Sequence, residues 1–290
     1  MNLQVNDLLI KTASLISENN LLAAEQVLNE VFQLEPNCLV AHNIREKYRF
    51  RGNYSEWIGV NAEISPDDDI FRFFANHPTS LNPIRDYLSD GWRTMVEFQD
   101  LLDQCALSIH RCNSILEFAC GQGRFTRHLA RILKNGQLTV SDVVPGSVDF
   151  LARTLGVNGF YSSNDPDKVT IPGKYEIVFV LSLFSHLPPR VWASWFKNLY
   201  SSLTDDGVLI FSTHGEKCAQ MAGIDLTSVG SKFFGSSEST VLDGETYGCT
   251  YATSEFVQQA ITEALGPSVQ IRTIPNHFWG NQDAFIVSRP

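Results

Sequence analysis

Short apolar runs alternate with amphipathic segments along the second half of the chain. The apolar runs are typical of strands, and the segments between them repeat their apolar residues at helical spacing. One run, Tyr175 to Leu181, is apolar enough for a central parallel strand buried on both faces. We predict strands at 115–118, 137–141, 159–161, 175–181, 208–213, 269–274 and 284–288. The pattern predicts an α/β fold with a doubly wound sheet.

The N-terminal part of the chain is helical by the same criterion. Apolar residues recur at helical spacing over 3–34, and again over 39–50 and 54–64. Four residues fall where a tetratricopeptide repeat has its packing residues and terminal proline: Ala24, Leu28, Val31 and Pro36. Because so few units cannot form a free-standing solenoid, this all-α extension is either a cap on the main domain or a surface for a protein partner or self-association.

Composition changes mark the predicted domain boundaries. Ser65-Pro66-Asp67-Asp68-Asp69 is a turn, so we predict a tetratricopeptide-like extension over 1–64. A helical lid or linker follows over 65–112, and the main domain occupies 113–290. Within the main domain, residues 216–252 are rich in Gly, Ser and Thr and interrupt the alternation. We expect them to form an insertion that covers the cleft.

Charge and cysteine content exclude several classes of function. The 290 residues carry 32 acidic and 22 basic side chains, a net charge of -10, so we expect no nucleic-acid partner. No apolar run approaches the roughly 20 residues of a membrane span, and the N-terminus lacks the layout of a signal peptide. We therefore expect a cytoplasmic protein with no membrane partner. The six cysteines have no zinc spacing, which predicts reduced, buried thiols and no metal site.

The stretch from Ile115 to Thr126 carries the clearest chemistry. A short apolar strand ends at an acidic residue, small residues follow, and a helix begins near Arg124. Glycines allow positive φ and let a ligand lie against the main chain. The third glycine of a dinucleotide fingerprint is missing, because Thr126 stands there, and no P-loop lysine follows. The stretch therefore predicts a nucleoside-binding turn.

This stretch resembles the first motif of the class I S-adenosylmethionine (SAM)-dependent methyltransferases. That motif is an acidic residue followed by Gly-x-Gly-x-Gly, and Ala119 replaces the first glycine here. Asp142, at the end of the second strand, stands where the family binds the ribose hydroxyls, although an aspartate there also suits a helix cap. The resemblance covers 113–290. It implies a seven-stranded Rossmann-like methyltransferase sheet, closed by an antiparallel pair, and SAM as the cofactor.

The resemblance also implies which residues contact the cofactor. They follow the first four strands and are Glu117, Ala119, Cys120, Gly121, Gly123, Asp142, Val143, Ser163, Asn164, Leu181 and Ser182. The loop after the third strand contacts adenine in the family, but four adjacent polar residues leave the register there open.

Two histidines follow strands at the edge where the ligands of this fold bind. His186 and His214 are candidate general bases toward a hydroxyl acceptor, and such a base would add roughly 10² to 10⁴-fold to the rate. Such a base predicts a rate that rises with pH through about 6 to 7. Five further residues are candidates for the acceptor side: Tyr87, Trp92, Arg93, Tyr247 and His277.

The function predicted from these features is methyl transfer from SAM to a small-molecule or glycan acceptor at O or N, by in-line displacement. Orientation of the acceptor supplies much of the rate of such a reaction. The alternative is an inactive SAM-binding protein that uses its helical N-terminus for protein interaction. A nucleotide-binding oxidoreductase is disfavoured by the missing third glycine.

Overall fold

A computed structural model describes residues 3–237, 239 and 242–290. The chain divides into two compact units, Met1–Asp90 and Gly91–Pro290. The division falls inside a long helix, Pro83–Gln104, whereas the sequence predicts the boundary at the turn beginning with Ser65.

The first unit is all α, as predicted. Its helices are α1 (Leu3–Ser17), α2 (Leu21–Leu34), α3 (Leu39–Lys47), α4 (Tyr54–Ile58), α5 (Asp69–Asn76) and the first part of α6 (Pro83–Gln104). The predicted packing residues Ala24, Leu28 and Val31 are all buried in one core cluster with Val5. The Asn20 side chain caps α2 by accepting from the Ala23 amide.

A second cluster explains why the first unit extends past residue 64. Ala62 and Ile64 are fully buried against side chains of the following segment, among them Phe71, Ile84 and Leu88. The segment that the sequence assigns to a lid or linker therefore completes the core of the first unit up to residue 90.

The second unit is an α/β fold. Its strands are β1 (Ile115–Phe118), β2 (Leu138–Asp142), β3 (Asn158–Tyr161), β4 (Tyr175–Val180), β5 (Leu203–His214), β6 (Ser231–Phe234), β7 (Cys249–Ala252), β8 (Gln270–Phe278) and β9 (Gln282–Ser288). Its remaining helices are α7 (Thr126–Ile132), α8 (Ser147–Leu155), α9 (Trp192–Ser201), α10 (Glu216–Met221) and α11 (Ser254–Leu265), with short 3₁₀ turns at Ile109–Arg111, Pro166–Lys168 and Pro189–Val191.

The strands form one sheet in the order β3-β2-β1-β4-β5, with these five parallel. β9 runs antiparallel to β5 and pairs with β8, which is the predicted closing pair. The prediction of seven strands is incomplete, because β6 and β7 also form within 216–252. β7 joins the edge of β5 through the pair His214–Tyr251, and β6 pairs with β7.

Two apolar layers cover the faces of the sheet. On one face, Phe98 of α6 packs on Phe125 and Phe179. On the other, Trp192 and Phe196 of α9 are buried. The parallel strands are thus fixed from both sides, and their carboxyl ends meet along one edge.

One local prediction is corrected, and one cap is identified. Thr253 caps α11, and its side chain accepts from the Phe256 amide. All six cysteines are free, but Cys105, Cys218 and Cys249 are only partly buried. Among the helices that the structure describes, none combines the length and apolar character needed to cross a membrane.

Candidate active site

The turn after β1 is built from residues in left-handed backbone conformations. Ala119, Gly121 and Gly123 have φ values of 60°, 57° and 87°. The Cys120 amide donates to the Ser141 carbonyl at 3.1 Å, which ties the turn to the end of β2. Alanine at φ 60° is strained, since the left-handed region costs an L-residue roughly 1–2 kcal/mol. Ala119 thus adopts, at the first motif position, the left-handed conformation that a glycine would adopt more easily.

The two glycines of the turn face different surroundings. A Cβ on Gly121 would meet no heavy atom within 4 Å, so the space beside its main chain is open. A Cβ on Gly123 would lie 2.2 Å from Leu151 Cδ2, a fully buried side chain of α8. A ligand can therefore approach the main chain at Gly121, whereas the close packing of α8 requires a glycine at position 123.

The Asp142 carboxylate stabilises this turn through hydrogen bonds. Its Oδ2 accepts from the Gly121 amide at 2.7 Å, and its Oδ1 accepts from the Val144 amide at 2.8 Å. It does not cap the next helix, because the residue before α8 is Gly146, which makes no side-chain cap. A carboxylate held by two amides is fixed in orientation at the carboxyl end of β2, where the sequence predicts a ribose contact.

Glu117 is buried with one carboxyl oxygen unsatisfied. The residue is 4% exposed, and no hydrogen-bond partner for Oε2 is found in the described part of the chain. Burial, opposed by the Thr126 hydroxyl and assisted by the charge of Asp142, raises the pKa of this carboxyl to about 8. A polar atom buried without a hydrogen-bond partner is costly, so the site is suited to a ligand that supplies one.

The other predicted cofactor residues lie on the loops after β2, β3 and β4. Val143 and Leu181 are half-buried, while Ser163 accepts from the Asp165 amide and Asn164 is exposed. Ser182 has a φ of 58°. Roles for these side chains stay predictions.

His186 is held by the insertion. Its Nδ1 donates to the Gly248 carbonyl at 2.7 Å, which fixes the proton on that nitrogen, and its ring stacks on Tyr247 with centroids 4.6 Å apart. The main chain adds two bonds, since Gly248 donates to the His186 carbonyl and Thr250 to the Ser185 carbonyl. The predicted insertion over 216–252 is thus hydrogen-bonded to the loop after β4.

His214 lies beside His186, with ring centroids 5.8 Å apart. Burial, and then the His186 ring, lower the pKa of His214 to about 4. The His214 side chain is therefore neutral at physiological pH. A base so weak accepts a proton poorly, and the predicted rise in rate through pH 6 to 7 cannot come from His214.

An open cavity of about 270 Å³ adjoins His214. Its other lining residues are Cys218, Met221, Ala222, Tyr251 and Asn281. Burial raises the pKa of Cys218 to about 11 and raises that of Tyr251 as well. The titratable groups of this wall are therefore uncharged at neutral pH.

Among the candidate acceptor residues, Arg93 and His277 both bond to Glu97, whereas Tyr247 lies beside His186. Tyr87 is fully buried in the first unit, where its hydroxyl donates to Asp68 at 2.6 Å, so its side chain belongs to the core of that unit. Trp92 is 62% exposed, and Arg93 donates to Glu97 at 2.9 Å. His277 donates from Nε2 to the Glu97 carbonyl. Of the five, only Tyr247 contacts a candidate base.

Sequence reasoning missed several polar residues of this region. Gln282, Ser212 and Ser185 are buried beside Ser182 and bonded to one another or to it. The repeat of serine at 182 and 185 is a weak signal of a turn, but nothing in the sequence points to Gln282. Within the described residues, no group of His, Cys, Asp and Glu could hold a metal ion.

Comparison with protein families supports the resemblance. Residues 116–209 match the model of a methyltransferase domain. The matched region extends from β1 into β5 and includes the glycine turn.

Curated relatives match the same region. The chain is 28% identical over 106 residues to malonyl-[acyl-carrier protein] O-methyltransferase 1 of Ilyobacter polytropus, covering 36% of this chain and 39% of the relative. It is 28% identical over 109 residues to the corresponding enzyme of Bacteroides thetaiotaomicron, covering 37% and 40%. The match thus spans about two fifths of the length of these relatives.

Solved structures resemble a larger part of the chain. Magnesium protoporphyrin IX methyltransferase from Synechocystis PCC 6803, with bound S-adenosylhomocysteine, covers 84% of this chain at 15% identity, with all of that chain matched and a TM-score of 0.49. A SAM-dependent methyltransferase from Clostridium acetobutylicum also covers 84%, at 14% identity, with 98% of that chain matched and a TM-score of 0.47.

Proposed function

We propose that this protein transfers a methyl group from SAM to the oxygen of a small-molecule or glycan acceptor. The observation that carries the proposal is the buried, unsatisfied Glu117 carboxyl beside the braced Asp142 carboxylate, at the turn of a methyltransferase domain. Two acidic groups and open backbone at Gly121 suit a ligand with an ammonium group and ribose hydroxyls.

The residues fit SAM at this turn. Glu117 is proposed to accept from the ammonium group, and Asp142 from the ribose hydroxyls, while the open side of Gly121 receives the ligand against the main chain. Val143, Ser163, Asn164 and Leu181 are proposed to line the nucleoside. When bound, SAM supplies an electrophilic methyl group on a sulfonium.

The acceptor side is proposed to lie at the ends of β4 and β5. The cavity beside His214 has an uncharged wall with Tyr251 and the Asn281 amide, which favours a neutral acceptor with a hydroxyl group. Tyr247, Trp92, Arg93 and His277 remain candidates to contact it. The relatives named above are O-methyltransferases, which supports oxygen over nitrogen as the atom methylated.

We propose His186 as the base that removes the hydroxyl proton. The carbonyl of Gly248 fixes the Nδ1 proton, so Nε2 of the neutral ring carries the lone pair. His214 is a weaker candidate, because its low pKa makes it a poor proton acceptor. His214 is proposed to contact the acceptor as a neutral ring.

Calorimetry tests the cofactor. SAM and S-adenosylhomocysteine should bind, and NAD should not. Asp142→Asn should weaken SAM binding by roughly 1.5–3 kcal/mol, the scale of hydrogen bonds to charged groups, and should also lower the melting temperature because it loosens the Gly121 turn. Comparable affinity for NAD would refute the proposal.

Single-turnover methyl transfer with an identified hydroxyl acceptor tests the base. His186→Gln should lower the rate by roughly 10² to 10⁴-fold and leave SAM affinity unchanged. In His214→Gln, the matched control, the rate of methyl transfer should depend on pH between 5 and 8 as it does in the wild type. If the wild type binds SAM but transfers no methyl group to any acceptor tried, the inactive SAM-binding protein becomes the better description.

A further inference from the structure

Ser182, Ser212 and Gln282 form a closed hydrogen-bonded ring where β4 and β5 end and β9 begins, and Ser185 is bonded to Ser182. Gln282 Nε2 donates to Ser182 Oγ at 2.8 Å, and Ser212 Oγ donates to Gln282 Oε1 at 2.7 Å. The Ser182 amide donates to Ser212 Oγ at 2.8 Å. Ser182 and Ser185 hydroxyls lie 2.8 Å apart, and Ser185 Oγ donates to the Ser182 carbonyl.

The direction of each bond in the ring is determined. An amide oxygen only accepts, so the Ser212 hydroxyl must donate to Gln282 and is left to accept from the Ser182 amide. The Ser182 hydroxyl accepts from Gln282 and donates to Ser185. Ser185 and Ser212 are 0% exposed and Gln282 is 4% exposed, so water does not supply substitutes for these bonds.

One member of the ring, Ser182, has a strained backbone conformation. Ser182 has a φ of 58°, a conformation that L-residues adopt at a cost unless the surroundings impose it. Its amide and hydroxyl are bonded within the ring, and its carbonyl accepts from Ser185. Gln282 is the member that comes from another part of the chain, directly opposite His214 in the β5–β9 ladder.

We infer that Gln282 is a positioning residue for the cofactor, because its amide holds Ser182 in the left-handed conformation at the end of β4. The inference rests on the proposed function, which places Leu181, the residue before Ser182, against the nucleoside of SAM. Gln282 acts through Ser182 and is not proposed to touch the reacting atoms.

The experiment measures SAM affinity by calorimetry and stability by thermal unfolding in the full-length protein. Gln282→Met keeps the size of the side chain but removes both bonds, and it should raise the Kd for SAM roughly 10-fold, the equivalent of one or two lost hydrogen bonds. Ser182→Gly in the Gln282→Met background should recover part of that affinity, because glycine adopts positive φ without the ring.

Val287→Ala is the matched control. Val287 is fully buried on the same strand and lies outside the ring, so its truncation should lower the melting temperature with no change in the Kd for SAM. Ser212→Ala provides a second variant if Gln282→Met does not fold, and it should weaken SAM binding in the same direction.

The outcomes separate the inference from the proposed function. If the wild type binds no SAM, both fail. If the wild type binds SAM and Gln282→Met or Ser212→Ala binds it equally well, the inference alone is overturned. A Val287→Ala variant that loses as much affinity as Gln282→Met would show that strand stability, rather than the ring, controls the site.

Discussion

At the scale of single residues, the two glycines of the turn should respond differently to alanine. Gly121→Ala should cost about 1 kcal/mol of stability for its positive φ and should weaken SAM binding, since the new methyl group enters open space at the site. Gly123→Ala should cost about 2–4 kcal/mol, because its Cβ also overpacks against Leu151. Urea unfolding and calorimetry measure both effects.

Gly136 is the matched control for this pair. It has a φ of 88°, is exposed, and a Cβ there would meet nothing within 4 Å. Gly136→Ala should therefore lose stability like Gly121→Ala while SAM affinity stays the same. Equal SAM affinities in the Gly121 and Gly136 variants would mean that the ligand does not approach Gly121.

Glu117 makes the stability of the protein depend on pH. Its folded-state pKa of about 8 lies above the ordinary value of 4.5, so between these values the folded state binds a proton that the unfolded state lacks. Stability should therefore fall as pH rises from 4.5 through 8, by an amount on the order of a few kcal/mol. Glu117→Gln should remove this loss.

Thermal unfolding without ligand at pH 5 and pH 8.5 tests this prediction. Glu117→Gln should be more stable than the wild type at pH 8.5, and the difference should shrink toward pH 5. Glu263→Gln, at an exposed position on α11, is the control for a change of net charge. A difference between wild type and Glu117→Gln that is the same at both pH values would contradict a raised pKa.

At the scale of elements, β7 and the loop after β4 should open and close together. Bonds from Gly248 and Thr250 to this loop, and the stacking of Tyr247 on His186, join the two segments. His186→Ala should speed hydrogen exchange of the amides at 248–250 roughly 10-fold, since it removes one hydrogen bond and one ring contact.

Arg190→Ala is the control for this element. It removes only the exposed bond from Arg190 to the Glu245 carbonyl and should leave exchange at 248–250 unchanged. Unchanged protection in His186→Ala would show that the main-chain bonds alone hold β7.

At the scale of the whole molecule, the position of an N-terminal truncation should decide whether the shortened protein aggregates or stays monodisperse. A chain that starts at Ser65 lacks Ala62 and Ile64, so it exposes the apolar side chains of Phe71, Ile84 and Leu88. We expect this chain to aggregate. A chain that starts at Gly91 leaves out that whole cluster and should stay monodisperse and bind SAM, as gel filtration and calorimetry would show.

The sequence predicted local structure well where one residue type has one physical reason. Positive φ in the turn and the acidic residue at the end of β2 follow from local chemistry. It predicted less where partners are remote along the chain. The bond between Gln282 and Ser182 joins residues 100 positions apart, and nothing in the local pattern selects that pair.

The sequence by itself determined the alternation of strands and helices and the glycine turn after β1, because these depend on residues close together along the chain. Tertiary structure decided that Gly123 serves packing, that His214 stays neutral, that β7 holds His186, and that the first compact unit ends inside α6. Each of these depends on burial or on a contact between distant segments. Burial sets the pKa of a side chain and the cost of a missing partner, and only the folded chain defines it.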